Sequence, residues 1–249
     1  MQRLLLLTLT MTIALSCSCV HAETYGGIEF PNGDLSFADA VLRYDPLYGG
    51  GPAPTAGTDP QAALGIPDWV GNDDEHATLG RGGLLELLFV DNYLVNSGGE
   101  GHDLHIFEVG PDVEDTYVAI RPTAETALIL DPATYDANED GFYEIGKVYG
   151  STSSIDIDAI FPGYLAGELV FDAVQLIDDY NEGGSSGSTV GADIDAVGAI
   201  GSIRSCDYSL MGDLNGDCRV DLLDLAKMAS NWLIDCKQTP GDPACVPLD

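Results

Sequence analysis

The chain has 249 residues and carries nine lysines and arginines against 41 aspartates and glutamates, a formal net charge of −32. A charge of this sign repels phosphate backbones and anionic lipid surfaces and attracts divalent cations, so nucleic acid and membrane surfaces are not expected as partners. The same acidity is typical of a solvated protein surface and identifies no site by itself.

The first residues predict export. Arg3 precedes an apolar run over 4–15, and the small-residue exit Val20-His21-Ala22 follows it. This order is typical of a secretory signal peptide, here residues 1–22. The apolar run is too short for a stable membrane span, and no later segment approaches the roughly 20 apolar residues that a span needs. We therefore expect a secreted or cell-surface protein with no membrane span.

A lipoprotein signal at Cys17 or Cys19 is the alternative interpretation of the same residues. Such a signal has a leucine-like residue three positions before the modified cysteine, and Ala14 and Ser16 stand there. The pattern favours the cleaved secretory signal.

Short apolar runs separated by Gly, Pro, Asn and Asp fill residues 23–205. Their apolar and polar positions alternate, and this alternation predicts half-buried strands. Strands are expected at 84–90, 103–109, 116–120, 142–149, 168–178 and 192–203. A helical turn is expected only near 35–44. The fold prediction is mainly β: one antiparallel β-sandwich, jelly-roll-like, over 23–205, followed by a small α-helical Ca²⁺-loop module.

Two loops interrupt the predicted strands. Residues 48–56 are rich in Gly and Pro, and residues 181–188 form a Gly- and Ser-rich stretch that contains a literal G-x-S-x-G at 183–187. A nucleophile elbow must follow an apolar strand and open a helix, whereas this stretch lies in low-complexity sequence with no helix after it. The motif therefore does not predict an esterase.

Five motifs follow one another in this region: DPQAALGIPDW, TLGRGGLLELLF, GHDLHIFEVG, LVFDAVQLIDD and GADIDAVGAI, at 59–69, 78–89, 101–110, 169–179 and 191–200. Their order resembles an extracellular β-sandwich module that is frequent in secreted and cell-surface proteins of environmental bacteria, planctomycetes among them. The resemblance covers nearly the whole region. It implies an extracellular sandwich and assigns it no ligand.

Two pairs of aspartates lie two residues apart in strand-like sequence, and such a pair shares one face of a regular strand. The pairs are Asp193 with Asp195 and Asp156 with Asp158. One interpretation is a second Ca²⁺ site or a polar ligand contact; the favoured one is the solvent face of a sandwich strand. Asp103 and Glu108 allow the same two interpretations.

No catalytic residue is predicted. After export the histidines are His76, His102 and His105, and the last two point to opposite faces of a regular strand, so ordinary surface or half-buried histidines are expected and a three-histidine metal site is not. Trp69 suits an exposed sugar-stacking position as well as a core or lid position. Carboxylate pairs for glycoside hydrolysis are too numerous to single out, because their separations are not visible in a sequence.

Four cysteines remain after export, all in the last quarter of the chain. They are Cys206, Cys218, Cys236 and Cys245. In an oxidising compartment two disulfides are expected, and three connectivities are open. A cysteine zinc site is the alternative, but this region has no close C-x-x-C pair and no nearby histidine.

The segment GDLNGDCRVDLLDLAKMASNWL, residues 212–233, places oxygen donors at alternate positions. Calcium takes about six to eight hard oxygens, and a loop wrapped around the ion turns alternate side chains inward. The donors match positions 1, 3, 5, 9 and 12 of a twelve-residue calcium loop, with a backbone carbonyl at position 7. The predicted Ca²⁺ ligands are Asp213, Asn215, Asp217, Arg219 through its carbonyl, Asp221 and Asp224.

Two positions depart from the usual calcium loop. Asp224 replaces the longer Glu at position 12, and Cys218 stands where Gly eases a sharp turn. An apolar stripe then recurs at helical spacing from Leu222 to Leu233. We expect this stripe to pack against the module's own loop and Cys-linked tail rather than in a partner's groove.

A calcium loop followed at once by a helix, with a cysteine in the loop and another after the helix, is similar to one repeat of a type I dockerin in its planctomycete-style, Cys-containing version. The resemblance covers residues 212–233 of a tail module at 206–249. It implies Ca²⁺-dependent docking to a cohesin-like or cell-surface partner in an extracellular polysaccharide-degrading system. Cellulosomal dockerins have two repeats and a recognition pair, often hydroxylated, where this chain has one repeat and Leu222-Leu223.

Together these features predict a secreted, non-catalytic binding or docking protein with a Ca²⁺-dependent dockerin-like tail and a sandwich that binds a glycan or surface component. Two alternatives stay open: a polysaccharide-degrading enzyme of the O-glycosyl hydrolase type, and a structural cell-envelope protein in which the tail is only an anchor.

Overall fold

The computed structural model describes residues 22–109, 113–150, 153–182, 186–205, 211–214, 220, 222–230, 232–238 and 245. Within these ranges the chain is mainly β. The strands are β1 (Glu23–Tyr25), β2 (Ile28–Phe30), β3 (Ala40–Asp45), β4 (Ala77–Thr78), β5 (Leu84–Leu88), β6 (Asn92–Val95), β7 (Leu104–Glu108), β8 (Val113–Pro122), β9 (Tyr143–Gly150), β10 (Ser154–Ile155), β11 (Val170–Asp178), β12 (Asp193–Ala199) and β13 (Ser202–Arg204). The helices are α1 (Ala124–Ala127), α2 (Pro132–Tyr135) and α3 (Leu222–Ser230), and 3₁₀ turns lie at Gly33–Ser36 and Pro60–Ala63.

The strands form two main antiparallel sheets and one small hairpin. Four strands pair in the order β10-β7-β12-β4, and the larger sheet runs β13-β6-β11-β5-β3, with β8 also on β11 and β9 on β8. The centre of the larger sheet is β11, where Val174 pairs with Leu87 of β5 on one side and with Ile120 of β8 on the other. The hairpin is β1 with β2.

Both main sheets contribute to one buried apolar cluster. It contains Leu85 and Leu87 of β5 together with Ile106 of β7 and Val197 of β12, each at most 1% exposed. Burying an aliphatic side chain of this size stabilises the fold by about 1.5–3 kcal/mol. Because the cluster fixes the two sheets, the polar residues that follow the strand ends are held in defined positions.

Five of the six predicted strands are confirmed, with bounds that differ by a few residues, whereas the sixth, 192–203, is two strands, β12 and β13, that lie in different sheets. The expected helical turn near 35–44 is wrong over most of its length: a 3₁₀ turn ends at Ser36, and β3 occupies Ala40–Asp45. Here Val41 and Tyr44 pack against the core while β3 pairs with β5, and a register shift between Val41 and Arg43 breaks the strict alternation that would have identified a strand.

The tail contains α3, as the apolar stripe predicted, and a disulfide between Cys236 and Cys245. The other two cysteines, Cys206 and Cys218, lie outside the described residues. Residues 1–21 of the predicted signal peptide and residues 183–185 of the G-x-S-x-G stretch also lie outside them. Among the described residues, no helix combines the length and apolar character needed to cross a membrane.

Candidate functional site

The structure describes the two ends of the predicted calcium loop in the tail. Asp213, at position 1, is half-buried, and Asp224, at position 12, is 3% exposed in the first turn of α3. The N–H of Leu214 donates a hydrogen bond of 2.6 Å to Asp224 Oδ1. The remaining predicted ligands lie outside the described residues: Asn215, Asp217, Arg219 and Asp221.

The start of the loop also approaches position 8. A Cβ placed on Gly212 would lie 3.5 Å from both γ-methyl groups of Val220, the residue at that position. The hydrogen bond from Leu214 to Asp224 brings the start of the loop to position 12, as a calcium loop requires, because its first and last ligands bind one ion.

The apolar stripe of the tail helix is exposed. Leu222 is 78% exposed, Leu225 is 50% exposed and Trp232 is 62% exposed. The expectation that this stripe packs against its own loop and tail is therefore wrong for these three side chains. They form an exposed apolar surface next to the loop, which we call the tail helix surface.

Three aspartates of the sandwich region form an acidic triad. Asp103 lies just before β7 and is fully buried, and the partly exposed Asp156 and Asp158 lie just after β10. One carboxylate oxygen from each lies within 4.8 Å of the others, so the triad could hold a metal ion. Asp156 and Asp158 thus do not share a strand face as predicted, because β10 ends at Ile155.

Hydrogen bonds already occupy much of this triad. Asp103 accepts from the N–H groups of Ser97 and Ile157, both at 2.8 Å, and Asp158 accepts from Gly98 N–H at 2.7 Å and Asn96 Nδ2 at 2.8 Å. Burial raises the pKa of Asp103 to about 6. The triad therefore ties two loops together, whether or not an ion binds.

The second predicted pair, Asp193 and Asp195, lies in β12 and does not form a solvent face. Asp195 is 7% exposed, and its Oδ1 accepts hydrogen bonds of 3.2 Å from the N–H groups of Asp68 and Trp69. Asp193 Oδ1 accepts from the Thr78 hydroxyl at 2.5 Å. The solvent-face interpretation is wrong for Asp195, because the Asp68-Trp69 backbone lies over it, a contact distant in sequence that the pattern does not contain.

The three histidines and Trp69 have different environments. His76 is 2% exposed, His102 is exposed, and His105 is 9% exposed with its Nδ1 2.6 Å from Ser154 Oγ. Burial lowers the pKa of His105 to about 4. Trp69 is 42% exposed, so it belongs to the surface and not to the core.

A further loop with calcium-binding spacing lies between α2 and β9, and the sequence-based prediction above did not include it. Its sequence is DANEDGFYE, with Asp136, Asn138, Asp140 and Glu144 at positions 1, 3, 5 and 9 and Gly141 at position 6. The residue at position 12 is Lys147, which pairs with Asp115 and Asp179 and offers no ligand. The spacing is thus a partial calcium loop.

The backbone of this loop is tightly turned. Gly141 has φ +88°, a conformation that favours glycine. Asp136 accepts hydrogen bonds of 3.0 Å from the N–H groups of Asp140 and Gly141. Glu144 accepts from Ala137 N–H at 3.3 Å. Asp136 and Glu144 thus both bond to this loop, but the carboxylates of Asp136, Asp140 and Glu144 do not bring three oxygens within 4.8 Å of one another.

A shallow groove lies beside this loop on the outer face of the larger sheet. Its volume is about 400 Å³, and it is lined by Tyr117, Asn138, Glu144, Lys147 and Gln175, among others. Tyr117 is 48% exposed, and its hydroxyl donates to Asp179 at 3.0 Å. The groove combines an exposed aromatic ring with donors and acceptors, which are the contacts that a polar ligand such as a sugar can use.

Comparison with known proteins gives no relative of this chain: no family model matches it, and neither a curated protein nor a solved structure does.

Proposed function

We propose that this is a secreted, non-catalytic binding protein of an extracellular polysaccharide-binding or polysaccharide-degrading system. Residues 23–205 form a jelly-roll-like β-sandwich that contacts a glycan or a surface component. Residues 206–249 form a dockerin-like module that binds Ca²⁺ and docks to a cohesin-like or cell-surface protein.

The observation that carries the proposal is the closed, acidic base of the tail loop. Asp224 is almost fully buried, and its Oδ1 accepts from the N–H of Leu214, the residue after Asp213. Positions 1 and 12 of the loop therefore lie near one closed end, where a calcium loop places its first and last ligands. A cation there would interact with both carboxylates.

Docking is supported by the tail helix surface. Leu222, Leu225 and Trp232 expose large apolar side chains next to the loop. Exposed apolar clusters of this kind mark protein interaction sites. A helix whose apolar face is ordered by an adjacent calcium loop suits a groove on another protein. The proposed occupant is therefore a cohesin-like domain that engages this helix only when Ca²⁺ is bound.

Glycan contact is supported by the groove beside Asp136–Glu144. Sugars bind proteins through aromatic faces combined with hydrogen-bonding groups, and the half-exposed Tyr117 together with the exposed Asn138 and Glu144 offers both. Calcium in the adjacent loop would fix Asn138 and Glu144, which line the same groove. The groove is therefore the proposed glycan site, and the tail is the proposed docking site.

The docking part is tested with the oxidised mature protein on immobilised type I cohesin domains, in Ca²⁺ and in EDTA. The test variant is Leu222→Glu on the tail helix surface. The matched control is Leu47→Glu, because Leu47 is 60% exposed and does not line the pocket that α1 shares with the tail. The proposal expects binding in Ca²⁺ that is lost in EDTA and in Leu222→Glu but kept in Leu47→Glu.

Binding that survives EDTA, or that Leu222→Glu leaves unchanged, contradicts calcium-dependent docking through this helix. No binding to any cohesin contradicts the proposed partner. The same preparation is assayed on a glycan array and for reducing-sugar release from polysaccharides. Sugar release by the purified chain would replace the non-catalytic proposal with the hydrolase alternative.

A further inference from the structure

His76 is a buried histidine whose ring makes no hydrogen bond. It lies immediately before β4, is 2% exposed, and neither Nδ1 nor Nε2 has a hydrogen-bond partner. Leaving a buried polar atom unsatisfied costs about 1–3 kcal/mol. Such atoms are rare in native proteins, and where they occur they often mark a bound water or ion.

The Nε2 atom faces a carboxylate. It lies 3.4 Å from Asp193 Oδ1, which is fixed by the Thr78 hydroxyl at 2.5 Å. Two bonds of about 2.0–2.1 Å to a tetrahedral ion place neighbouring ligand atoms about 3.3 Å apart. The separation between His76 Nε2 and Asp193 Oδ1 therefore matches two ligands of one tetrahedral ion, with Thr78 as the residue that orients the carboxylate.

A second buried carboxylate lies two residues from Asp193 in β12. Asp195 is 7% exposed, and its Oδ1 accepts from the N–H groups of Asp68 and Trp69. A cation bound between His76 and Asp193 would offset negative charge that a water molecule leaves uncompensated.

Gly57 closes the pair on another side. A Cβ on Gly57 would lie 2.3 Å from Thr78 Oγ1 and 3.0 Å from His76 Nε2. A side chain at this position would displace the Thr78 hydroxyl and fill the space beside the His76 imidazole. Glycine at position 57 therefore leaves the space beside Nε2 unfilled.

We propose that His76 and Asp193 bind a divalent transition-metal ion of the zinc class. The imidazole nitrogen determines the class, because Ca²⁺ and Mg²⁺ prefer oxygen ligands whereas Zn²⁺ takes imidazole together with carboxylate. Water completes the coordination. His76 Nδ1 gains no partner from the ion. The site is separate from the calcium loops.

The probe is Co²⁺, whose visible bands report tetrahedral coordination, followed by competition with Zn²⁺. The oxidised mature protein is stripped of metal and titrated in excess Ca²⁺, so that sites made only of oxygen are filled. We expect one equivalent of Co²⁺ to produce the bands and Zn²⁺ to abolish them. Thr78→Val, which removes the hydroxyl on Asp193, is expected to weaken binding about 10- to 100-fold.

His76→Gln and Asp193→Asn are expected to abolish the bands, and the exposed His102 provides the matched control His102→Gln, which keeps them. Thermal unfolding in chelator establishes that each variant is folded. Should either variant fail to fold, the wild type still decides: Zn²⁺ must shift the NMR resonance of His76 Nε2 and not that of His102. Absence of bands in the folded wild type, or bands that persist in His76→Gln, overturns the proposal.

Discussion

We expect Ca²⁺ to stabilise the β-sheet region, residues 23–205, through the Asp136–Glu144 loop, and Asp136→Asn to abolish this effect. Asp136 is position 1 of the loop, and its carboxylate accepts from Asp140 and Gly141 N–H. Because Lys147 replaces the ligand of position 12, we expect a weak site, with a Kd of about 10⁻⁴–10⁻³ M as in extracellular modules. At about 10 mM Ca²⁺ the wild type is then stabilised by about 1.4–2.7 kcal/mol.

That free energy corresponds to a rise in Tm of about 3–11 °C for a domain of this size. An Asp136→Asn variant with a 100-fold weaker site keeps at most about 0.4 kcal/mol, a shift under about 2 °C. Its stability in EDTA falls by only about 0.5–1.5 kcal/mol, since asparagine retains one of the two acceptors.

The assay is thermal unfolding by circular dichroism in EDTA, in Ca²⁺ and in the same concentration of Mg²⁺, which measures general screening of the acidic surface. The matched control is Asp131→Asn, the same charge change five residues earlier. Asp131 caps α2 through Ala133 N–H, and asparagine caps a helix equally well. A wild type that Ca²⁺ does not stabilise beyond Mg²⁺, or an equal shift in Asp136→Asn, refutes the assignment of this loop.

Three further outcomes are expected. Gly83→Ala should lower the free energy of unfolding by at least about 3 kcal/mol in chemical unfolding, because its Cβ would lie 1.7 Å from Leu79 O. Gly99→Ala, whose Cβ would have no atom within 4 Å, should change that free energy by under about 1 kcal/mol. Equal effects of the two substitutions would contradict the packing around Gly83. Burial raises the pKa of Asp178 to about 6, so its contribution to stability is complete below its ordinary pKa of 3.8 and is lost as pH rises through 6. In EDTA the advantage of wild type over Asp178→Asn should therefore shrink by about 1–3 kcal/mol between pH 4 and pH 7, and a constant difference would count against a raised pKa. Reducing the Cys236–Cys245 disulfide should lower the free energy of unfolding of the tail by about 2–3 kcal/mol and speed its proteolysis. The Tm of residues 23–205 should stay unchanged. A reduced tail that resists protease would contradict this prediction.

Local patterns predicted most of the sheet residues. The strand β5 alternates buried and partly exposed residues from Leu85 to Leu88. The strand β11 is mostly apolar, with Asp172, Gln175 and Asp178 interspersed, and is buried over much of its length. The strand β3 was missed because its register shift hides the alternation. The helix α3 followed from its apolar stripe, but whether that stripe is covered depends on tertiary contacts that periodicity does not contain.

The candidate sites likewise differ in whether their residues are close in sequence or only close in space. The spacings of the tail loop and of Asp136–Glu144 are local, so both are visible in the sequence, although only the first was recognised. Asp103 meets Asp158 only because β7 pairs with β10, and His76 meets Asp193 only because β4 pairs with β12. Contacts across more than 50 residues depend on strand order, which the sequence pattern did not specify.

The most direct test of the account is a calorimetric Ca²⁺ titration of the oxidised mature protein beside the double variant Asp213→Ala, Asp224→Ala. Asp235→Ala is the control, because Asp235 lies in the same tail and accepts from Lys237 N–H outside the loop. The account predicts a site of about micromolar Kd in the wild type and in Asp235→Ala, and its loss in the double variant. A wild type without that site, or a double variant that retains it, would contradict calcium binding by the tail.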